Sequence, residues 1–290
     1  MDMYFEKITI LGVGLIGGSF ARVCKKNELA KSIFGFGRQE ENLRKAVELG
    51  VIDKYSLDLN EAVEQADFVL IAVPVGSILL LAEKMSSYLK KGSIISDVGS
   101  VKDSLVEKIE NILPEGVHFV GAHPIAGTEH SGVEASFAEL FEGSKCILTP
   151  TKLTDHETLQ KVKKLWELMG SEISFMEPVK HDEIMAAVSH LPHVAAYAIT
   201  SFIFDLRHVW PDILSYSAGG FRDFTRIASS HPAMWCDICN YNSEALIKMI
   251  EQYETSLNQF KTLIKEKNWF QLEKTMSEAK TIRDGFYRSS

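Results

Sequence analysis

The sequence predicts an α/β protein in which a doubly wound, mostly parallel sheet is followed by an all-helical domain. Three observations predict it. A glycine-rich turn at residues 12–17 joins a strand-type apolar run to a helix. Strand-type and helix-type segments then alternate as far as about Pro178, which is typical of parallel sheets with crossover helices. From Lys180 onwards helical periodicity dominates. We therefore expect two domains, residues 1–178 and 179–290.

The glycine-rich turn has the spacing Gly-x-Gly-x-x-Gly in the context of strand, turn and helix. Its first glycine permits a tight turn, its second lets the backbone approach a pyrophosphate, and its third lets helix and strand pack closely. The helix N-terminus adds unpaired N–H groups and a partial positive charge. The turn therefore predicts a Rossmann-type domain that binds a dinucleotide through Gly12, Val13, Gly14, Leu15, Ile16 and Gly17.

The other strands of the predicted sheet follow the apolar segments along the chain. After the first strand at 8–11 they are residues 32–36, 68–73, 93–97, 118–123, 145–148 and 172–176. The segment 68–73 is apolar throughout, as expected of a strand buried on both faces of a parallel sheet. Ligands bind beyond the carboxyl ends of such strands, so Val73 and Pro74 are expected to face the cofactor. Gly99 and Ser100 end the next strand.

The end of the second strand bears on the choice between NAD and NADP. A domain for NAD usually has an Asp or Glu there, which binds the ribose 2′-hydroxyl. This chain has Gly37 followed by Arg38. A glycine leaves room for a 2′-phosphate, and an arginine can pair with it bidentately. The sequence is compatible with both cofactors and favours NADP. Arg38 either binds the 2′-phosphate, stacks on the adenine or points into solvent.

The C-terminal part is predicted to be helical. One helix is expected over 182–205 with a kink at Pro192, a second from about Pro232, and a last one over 269–286. The second helix carries a narrow apolar seam, which suits either the core of the chain or a subunit interface. The seam consists of Leu246, Ile250, Tyr253, Leu257, Phe260 and Ile264.

The amino-acid composition limits the classes of protein to which the chain can belong. A hydrophobic fraction of 46% and a charged fraction of 24% are typical of a soluble globular protein, and the net charge of −8 disfavours binding to nucleic acid or a membrane surface. Four cysteines are too few for a disulfide scaffold. This number is consistent with the reducing environment of the cytoplasm. We expect no signal peptide and no transmembrane segment.

Three clusters of polar residues could carry chemistry. His123 ends a buried strand, so it is either a general base near neutral pH or a structural histidine. His190 and His193 lie three apart on one predicted helical face, and we expect no metal there because no further ligand is evident. The segment 219–226 has two glycines, two arginines and an aspartate. It predicts a tight loop that clamps a carboxylate, or else a surface ion-pair cluster.

Five motifs together resemble the prephenate or arogenate dehydrogenase family of tyrosine biosynthesis. Nearly all of the chain is covered by this resemblance, and only the glycine motif is generic. The motifs are Gly-Val-Gly-Leu-Ile-Gly-Gly-Ser at 12–19, Asp-Val-Gly-Ser-Val-Lys at 97–102, Gly-Ala-His-Pro-Ile-Ala-Gly-Thr-Glu at 121–129, Ser-His-Leu-Pro-His at 189–193 and Asp-Phe-Thr-Arg at 223–226.

The resemblance implies a helical dimerisation domain after the dinucleotide domain, and a reaction that converts prephenate and NAD(P)⁺ to 4-hydroxyphenylpyruvate, CO₂ and NAD(P)H. His123 would accept the proton of the ring C4 hydroxyl, Ser100 would hydrogen-bond that hydroxyl and His123, and Arg226 would clamp a substrate carboxylate. Ser100 would also border the nicotinamide, with Gly99 in the same cofactor site. His193 joins them as a catalytic residue. The implied substrate-binding residues are Thr128, Glu129, His190, Gly219, Asp223 and Trp235, the last from either subunit of a homodimer.

Alternatives stay open at this point. Arogenate differs from prephenate only at the side chain, and no residue can be placed against that group from sequence. A β-hydroxyacid dehydrogenase would need a catalytic lysine in the helical domain, for which Lys180 is the nearest candidate. A dinucleotide-binding sensor without turnover would leave His123, Ser100 and Arg226 without a purpose. The chain is expected to be monofunctional, with any inhibition by tyrosine at the active site itself.

Overall fold

A single eight-stranded sheet organises the fold. The structure is a computed structural model that describes residues 4–128 and 130–288. The strand order is β3-β2-β1-β4-β5-β6-β7-β8, and the pairings are parallel except for β6 with β7. The mostly parallel, doubly wound sheet confirms the predicted fold class. The strands are β1 (Phe5–Leu11), β2 (Ala30–Phe36), β3 (Lys54–Ser56), β4 (Phe68–Ile71), β5 (Ile94–Asp97), β6 (His118–Pro124), β7 (Lys145–Thr149) and β8 (Glu172–Phe175).

Twelve α-helices lie within the described residues. Six accompany the sheet, namely α1 (Leu15–Lys26), α2 (Glu40–Glu48), α3 (Leu59–Val63), α4 (Val75–Met85), α5 (Asp103–Ile112) and α6 (His156–Leu168). Six follow it, namely α7 (Pro178–Met185), α8 (Leu191–Asp205), α9 (Gly219–Thr225), α10 (Pro232–Tyr241), α11 (Ser243–Lys265) and α12 (Trp269–Arg288).

The core has two layers, one on each face of the sheet. Successive residues of a strand point to opposite faces, so Phe68 and Leu70 of β4 belong to one buried cluster, and Val69 and Ile71 belong to the other. Every residue of β4 and β5 is buried. This burial on both faces explains why the strand signal of 68–73 is continuous rather than alternating.

Several predicted elements differ in detail. The short edge strand β3 was not predicted, because three residues with one buried side chain give no apolar run. The long helix begins at Pro178 rather than at residue 182, and residues Ala186–His190 form a π turn just before Pro192. Pro192 has no N–H to donate, and the backbone accommodates this by widening the preceding turn. The helix expected from Pro232 is divided, with α10 ending at Tyr241 and α11 starting at Ser243.

The chain divides into two compact units, residues 1–243 and 244–290. The first contains the sheet and the helices through α10, and the second consists almost entirely of α11 and α12. The boundary predicted at residue 178 is a different one, because it separates the part that binds the dinucleotide from the part that binds the substrate. It stays a prediction. Within the second unit, Tyr253, Leu257 and Ile264 of the apolar seam are exposed.

One helical run in the first unit, 178–208, is long and apolar enough to cross a membrane, judged by length and composition alone. Only 11% of its most apolar window is buried within the chain. The same run carries His181 and Asp182, both buried, so it is anchored on the rest of the unit at its N-terminal end. Towards its C-terminal end it exposes large apolar side chains, among them Phe202 and Phe204 at 58% and 57%.

Candidate active site

The carboxyl edge of β1 carries the glycine turn in the geometry that a dinucleotide requires. Gly12 has φ +97°, and a Cβ there would lie 2.3 Å from the carbonyl oxygen of Ala72. A Cβ on Gly17 would lie 2.2 Å from the carbonyl oxygen of Gly12, so this glycine allows α1 to approach the turn. Gly14 has open space around its Cβ direction, at the N-terminus of α1, where no side chain caps the helix. The free N–H groups and the open space fit a pyrophosphate.

The glycine turn lies at the point where the strand order reverses. From β1 the chain proceeds outward through β2 and β3, and it then returns to β4 on the other side of β1. Val73, just beyond β4, packs against Gly12, because its Cγ1 would be 2.9 Å from a Cβ there. Open α/β sheets bind ligands at such a reversal point, which agrees with the site expected around Val73 and Pro74.

The end of β2 offers space rather than a carboxylate. Gly37 is half-buried, and the atoms nearest to a Cβ there would be those of the Leu43 side chain, at 3.5–3.8 Å. Arg38 follows it and is exposed. The space beside Gly37 can therefore hold a substituent on the ribose 2′ position. The assignment of Arg38 to cofactor binding stays a prediction.

A buried ion pair supports the turn that follows β5. Lys102 is fully buried, and its Nζ forms a salt bridge with Oδ2 of Asp97. The same carboxylate accepts hydrogen bonds from the backbone N–H of Gly99 at 2.8 Å and of Ala122 at 3.2 Å. Asp97 thus ties the turn with Ser100 to β6. Ser100 is half-buried at the same edge of the sheet.

His123, near the end of β6, belongs to a chain of three hydrogen-bonded side chains. Its Nδ1 lies 2.8 Å from Nε2 of His181, and Nδ1 of His181 lies 2.7 Å from Oδ1 of Asp182. The carboxylate of Asp182 also accepts hydrogen bonds from the backbone N–H groups of Lys102 at 2.8 Å and Asp103 at 2.9 Å. Within residues 4–128 and 130–288 no hydrogen bond to Nε2 of His123 is present.

Burial disfavours the charged form of these histidines. Loss of solvation, with the nearby His181 ring and Lys102 ammonium, holds the pKa of His123 well below its usual range. Burial also lowers the pKa of His181, although its hydrogen bond to Asp182 acts in the opposite direction. A neutral imidazole has one ring nitrogen free to accept a proton, as a general base requires.

The rings of His190 and Trp235 lie beside the chain formed by His123, His181 and Asp182. Nδ2 of Asn242 donates to the carbonyl oxygen of Asp182 at 2.9 Å and contacts Nδ1 of His190 at 3.1 Å. Burial lowers the pKa of His190 to about 4. The neutral ring of His190 accepts at Nδ1 and therefore carries its proton on Nε2. In the described part of the chain neither this Nε2 nor Nε1 of the buried Trp235 has a hydrogen-bond partner.

Trp235 and His193 form a stacked pair within one chain. Their ring centroids are 3.7 Å apart with an interplanar angle of 23°, and His190 meets Trp235 edge-on at 6.0 Å. Burial lowers the pKa of His193, and the positive charge of Arg226, in the turn Arg226–Ser229 that contacts α8, lowers it further. The structure thus brings together His190, His193 and Trp235, with Arg226 nearby.

The segment 219–226 is not a tight loop, and that prediction was wrong. Gly219–Thr225 form α9, and Arg226 follows at its end. The helix forms despite the two glycines because both lie in its first turn, where helix entry tolerates them better than an interior position does. Gly219, Asp223 and Arg226 are exposed, and in the described part of the chain Asp223 has no hydrogen bond or ion pair to the histidines. Thr128 is exposed too, and Glu129 lies outside the described residues.

Three residues of this region were missed from sequence. His181 and Asp182 stand next to Lys180, which is exposed, whereas both of them are buried. The available signal was an adjacent histidine and aspartate at the start of a long helical run that is apolar further on. Asn242 gave no signal, because it meets His190 only through the packing of α10.

Two family models match the chain and together span most of it. The model described as "Prephenate dehydrogenase, nucleotide-binding domain" matches residues 20–175, and "Prephenate dehydrogenase, dimerization domain" matches residues 177–278. The glycine turn lies before the first matched residue, so its assignment rests on the geometry above.

Individual proteins are similar over almost the full length. A prephenate dehydrogenase of Bacillus subtilis is 35% identical over 98% of this chain and 77% of its own. A cyclohexadienyl dehydrogenase of Zymomonas mobilis is 36% identical over 96% of this chain and 95% of its own. The crystal structure of prephenate dehydrogenase from A. aeolicus, in complex with hydroxyphenyl propionate and NAD⁺, has a TM-score of 0.91 and 42% identity. It covers 96% of this chain and 97% of its own.

Proposed function

This chain belongs to the prephenate dehydrogenase family of nicotinamide-dependent oxidoreductases, and we propose that it converts prephenate to 4-hydroxyphenylpyruvate and CO₂ with reduction of NAD(P)⁺. The proposal rests chiefly on His123. Its ring lies at the carboxyl edge of the sheet on which the glycine turn also lies, and its Nδ1 faces His181 while its Nε2 has no partner in the described residues. A neutral histidine in this position suits removal of a hydroxyl proton.

The reaction needs a base and accurate orientation more than further catalytic groups. The bound nicotinamide supplies the hydride acceptor. His123 takes the proton of the C4 hydroxyl at Nε2, and Ser100 hydrogen-bonds the same hydroxyl. The resulting ring ketone is conjugated to the carbon that bears the carboxylate. Loss of CO₂ then sends an electron pair through the ring onto the ketone oxygen, which takes back the proton held by His123. The product is an aromatic phenol, and the gain of aromaticity drives the step without a metal.

Substrate recognition is assigned to the helical part. Arg226 binds a carboxylate of the substrate, bidentately where the geometry allows. His193 acts beside it, and His190, Thr128, Glu129, Gly219, Asp223 and Trp235 shape the pocket. The proton on Nε2 of His190 is a buried donor that has no partner among residues 4–128 and 130–288, which favours contact with a substrate oxygen. Trp235 is supplied by the same chain, since it stacks on its own His193.

The dinucleotide is bound by residues 1–178 and the substrate mainly by residues 179–290. Gly12, Val13, Gly14, Leu15, Ile16 and Gly17 cradle the pyrophosphate, with Val73, Pro74, Gly99 and Ser100 along the same edge. NADP is preferred to NAD, because the half-buried Gly37 leaves the 2′ position open and Arg38 stands beside it. Arogenate is the second candidate substrate, in view of the similarity to the crystal structure of an arogenate dehydrogenase from Synechocystis, which is 30% identical with a TM-score of 0.83.

The chain acts as a cytoplasmic homodimer. The match to a dimerisation domain covers residues 177–278, and the exposed apolar side chains of α8, including Phe202 and Phe204, need a cover in water. All four cysteines are free, as expected in a reducing compartment. Light scattering should give twice the 32.5 kDa mass of one chain. Phe202→Asp should shift the protein to monomers, and recovery of the protein in the membrane fraction would contradict this assignment.

The test of function is initial-rate reduction of the nicotinamide, with prephenate and arogenate each tried against NAD⁺ and NADP⁺. We expect turnover with prephenate, faster with NADP⁺. His123→Asn should lower kcat by roughly a hundredfold or more and leave dinucleotide affinity unchanged. The matched control is His118→Asn, at the opposite end of the same strand. No turnover in all four combinations by protein that binds dinucleotide would refute the proposed reaction, and full activity of His123→Asn would remove His123 from it.

A further inference from the structure

We propose that His181 and Asp182 are positioning residues that fix the tautomer of His123, so that its Nδ1 carries the hydrogen and its Nε2 is the free base. This inference rests on the proposed function for its purpose, although the tautomer itself does not depend on it. None of the five sequence motifs contains His181 or Asp182.

The direction of the hydrogen bonds begins at Asp182. Its oxygens accept from the backbone N–H groups of Lys102 and Asp103, which can only donate. Both oxygens are therefore held as acceptors, in the arrangement of an ionised carboxylate. His181 meets Oδ1 through Nδ1 at 2.7 Å, so the proton of this contact belongs to the ring.

The tautomer of His181 in turn determines the direction of its hydrogen bond with His123. A neutral ring with its hydrogen on Nδ1 has a lone pair on Nε2, and the 2.8 Å contact makes Nδ1 of His123 the donor. Nε2 of His123 is then left with its lone pair. Had His181 carried its hydrogen on Nε2, His123 would accept at Nδ1 and carry its hydrogen on Nε2, and it could not act as a base there.

Burial makes this order of donors persistent. His181 is fully inaccessible and Asp182 is 3% exposed, so water does not compete for either side chain. Asn242 holds the carbonyl oxygen of Asp182 at 2.9 Å and fixes the backbone that carries the pair. When His123 receives the proton, the carboxylate behind His181 stabilises the positive charge on the two rings, against the opposing charge of Lys102.

The decisive comparison is between two substitutions of His181. His181→Gln keeps an acceptor oxygen near the position of Nε2, whereas His181→Leu removes it at similar volume. Asp182 is left intact in both, because it also holds the backbone at the start of α5. Protein labelled with [¹⁵N]histidine gives the tautomer directly from long-range ¹H–¹⁵N correlations. The signals of His123 are those that disappear in His123→Asn.

At neutral pH we expect the wild-type ring of His123 to be protonated on Nδ1 and bare on Nε2, and His181→Gln to show the same pattern. His181→Leu should lose this pattern and lower kcat at least tenfold, while His181→Gln stays within about threefold of the wild type and dinucleotide affinity is the same in all three. A wild-type ring protonated on Nε2 would overturn the inference, even if His181→Leu does not fold. Equal tautomers and equal turnover in the two variants would overturn it too. Absence of turnover with prephenate and arogenate would refute the proposed function and leave the tautomer test intact.

Discussion

The buried pair of Asp97 and Lys102 is the feature whose loss should be most costly. Lys102→Met retains the aliphatic stem and removes the ammonium, so packing is largely kept and the charge alone is lost. Among the described residues, the carboxylate of Asp97, with a side chain 2% exposed, would then keep only the backbone N–H groups of Gly99 and Ala122. Removing one partner of a buried ion pair typically costs about 3–5 kcal/mol.

This loss can be measured as a change in thermal and urea stability. For a unit of residues 1–243, each kcal/mol corresponds to roughly 2–4 °C in Tm, so Lys102→Met should melt about 6–20 °C lower. The control is Lys163→Met, which breaks a surface pair with Glu167 and should change the free energy of unfolding by less than about 0.5 kcal/mol.

A double variant separates the charge from the shape. Adding Asp97→Asn to Lys102→Met removes the unpaired charge, so the double variant should be no less stable than Lys102→Met alone. The reasoning would be refuted if Lys102→Met lowered the free energy of unfolding by less than about 1 kcal/mol. Strictly additive losses in the double variant would refute it too, because independent sites are additive and coupled pairs are not.

Three further predictions concern the cofactor, the pH and the substrate. Gly37→Asp should raise the KM for NADP⁺ at least tenfold relative to that for NAD⁺, because its Cβ fits beside Leu43 and its carboxylate repels a 2′-phosphate. Gly37→Asn, which is uncharged, should have a smaller effect, and equal changes for both cofactors would contradict the prediction. The pKa of His190 is lowered from 6.5 to about 4, so the unfolded chain gains its proton first as the pH falls. Its contribution to stability is complete above pH 6.5 and is lost between pH 6.5 and 4, by roughly 3 kcal/mol. His190→Gln should therefore lose less stability than the wild type over this range in urea unfolding, whereas the exposed control His156→Gln should follow the wild type. Arg226→Ala should raise the KM for the substrate at least tenfold and the KM for the dinucleotide much less. Equal increases would mean that Arg226 is structural.

Local sequence patterns predicted most of the fold. The glycine turn and the apolar segment at 68–73 each reflect a single element, and the alternation up to Pro178 reflects a regular series of elements. All three were confirmed, although the strand predicted over 68–73 ends at Ile71. The errors occurred where local propensity was weak or outweighed. Lys54–Ser56 is too short to show a pattern, and α9 forms in spite of its two glycines. The antiparallel pairing of β6 with β7 has no local signature either, because strand direction is set by the connection and by the neighbouring strand.

The class of the sheet, the dinucleotide turn and the position of His123 at a strand end were all predictable from sequence, because they depend on residues close together in the chain. The side chains that contact Nδ1 of His123 come from a distant segment and are known only from the folded chain. His181 is 58 residues away along the chain from His123, and Asp182 is 80 from Lys102. Hydrogen-bond direction in a buried network depends on which donors and acceptors packing brings together after water is excluded. Spacing along the chain does not record that.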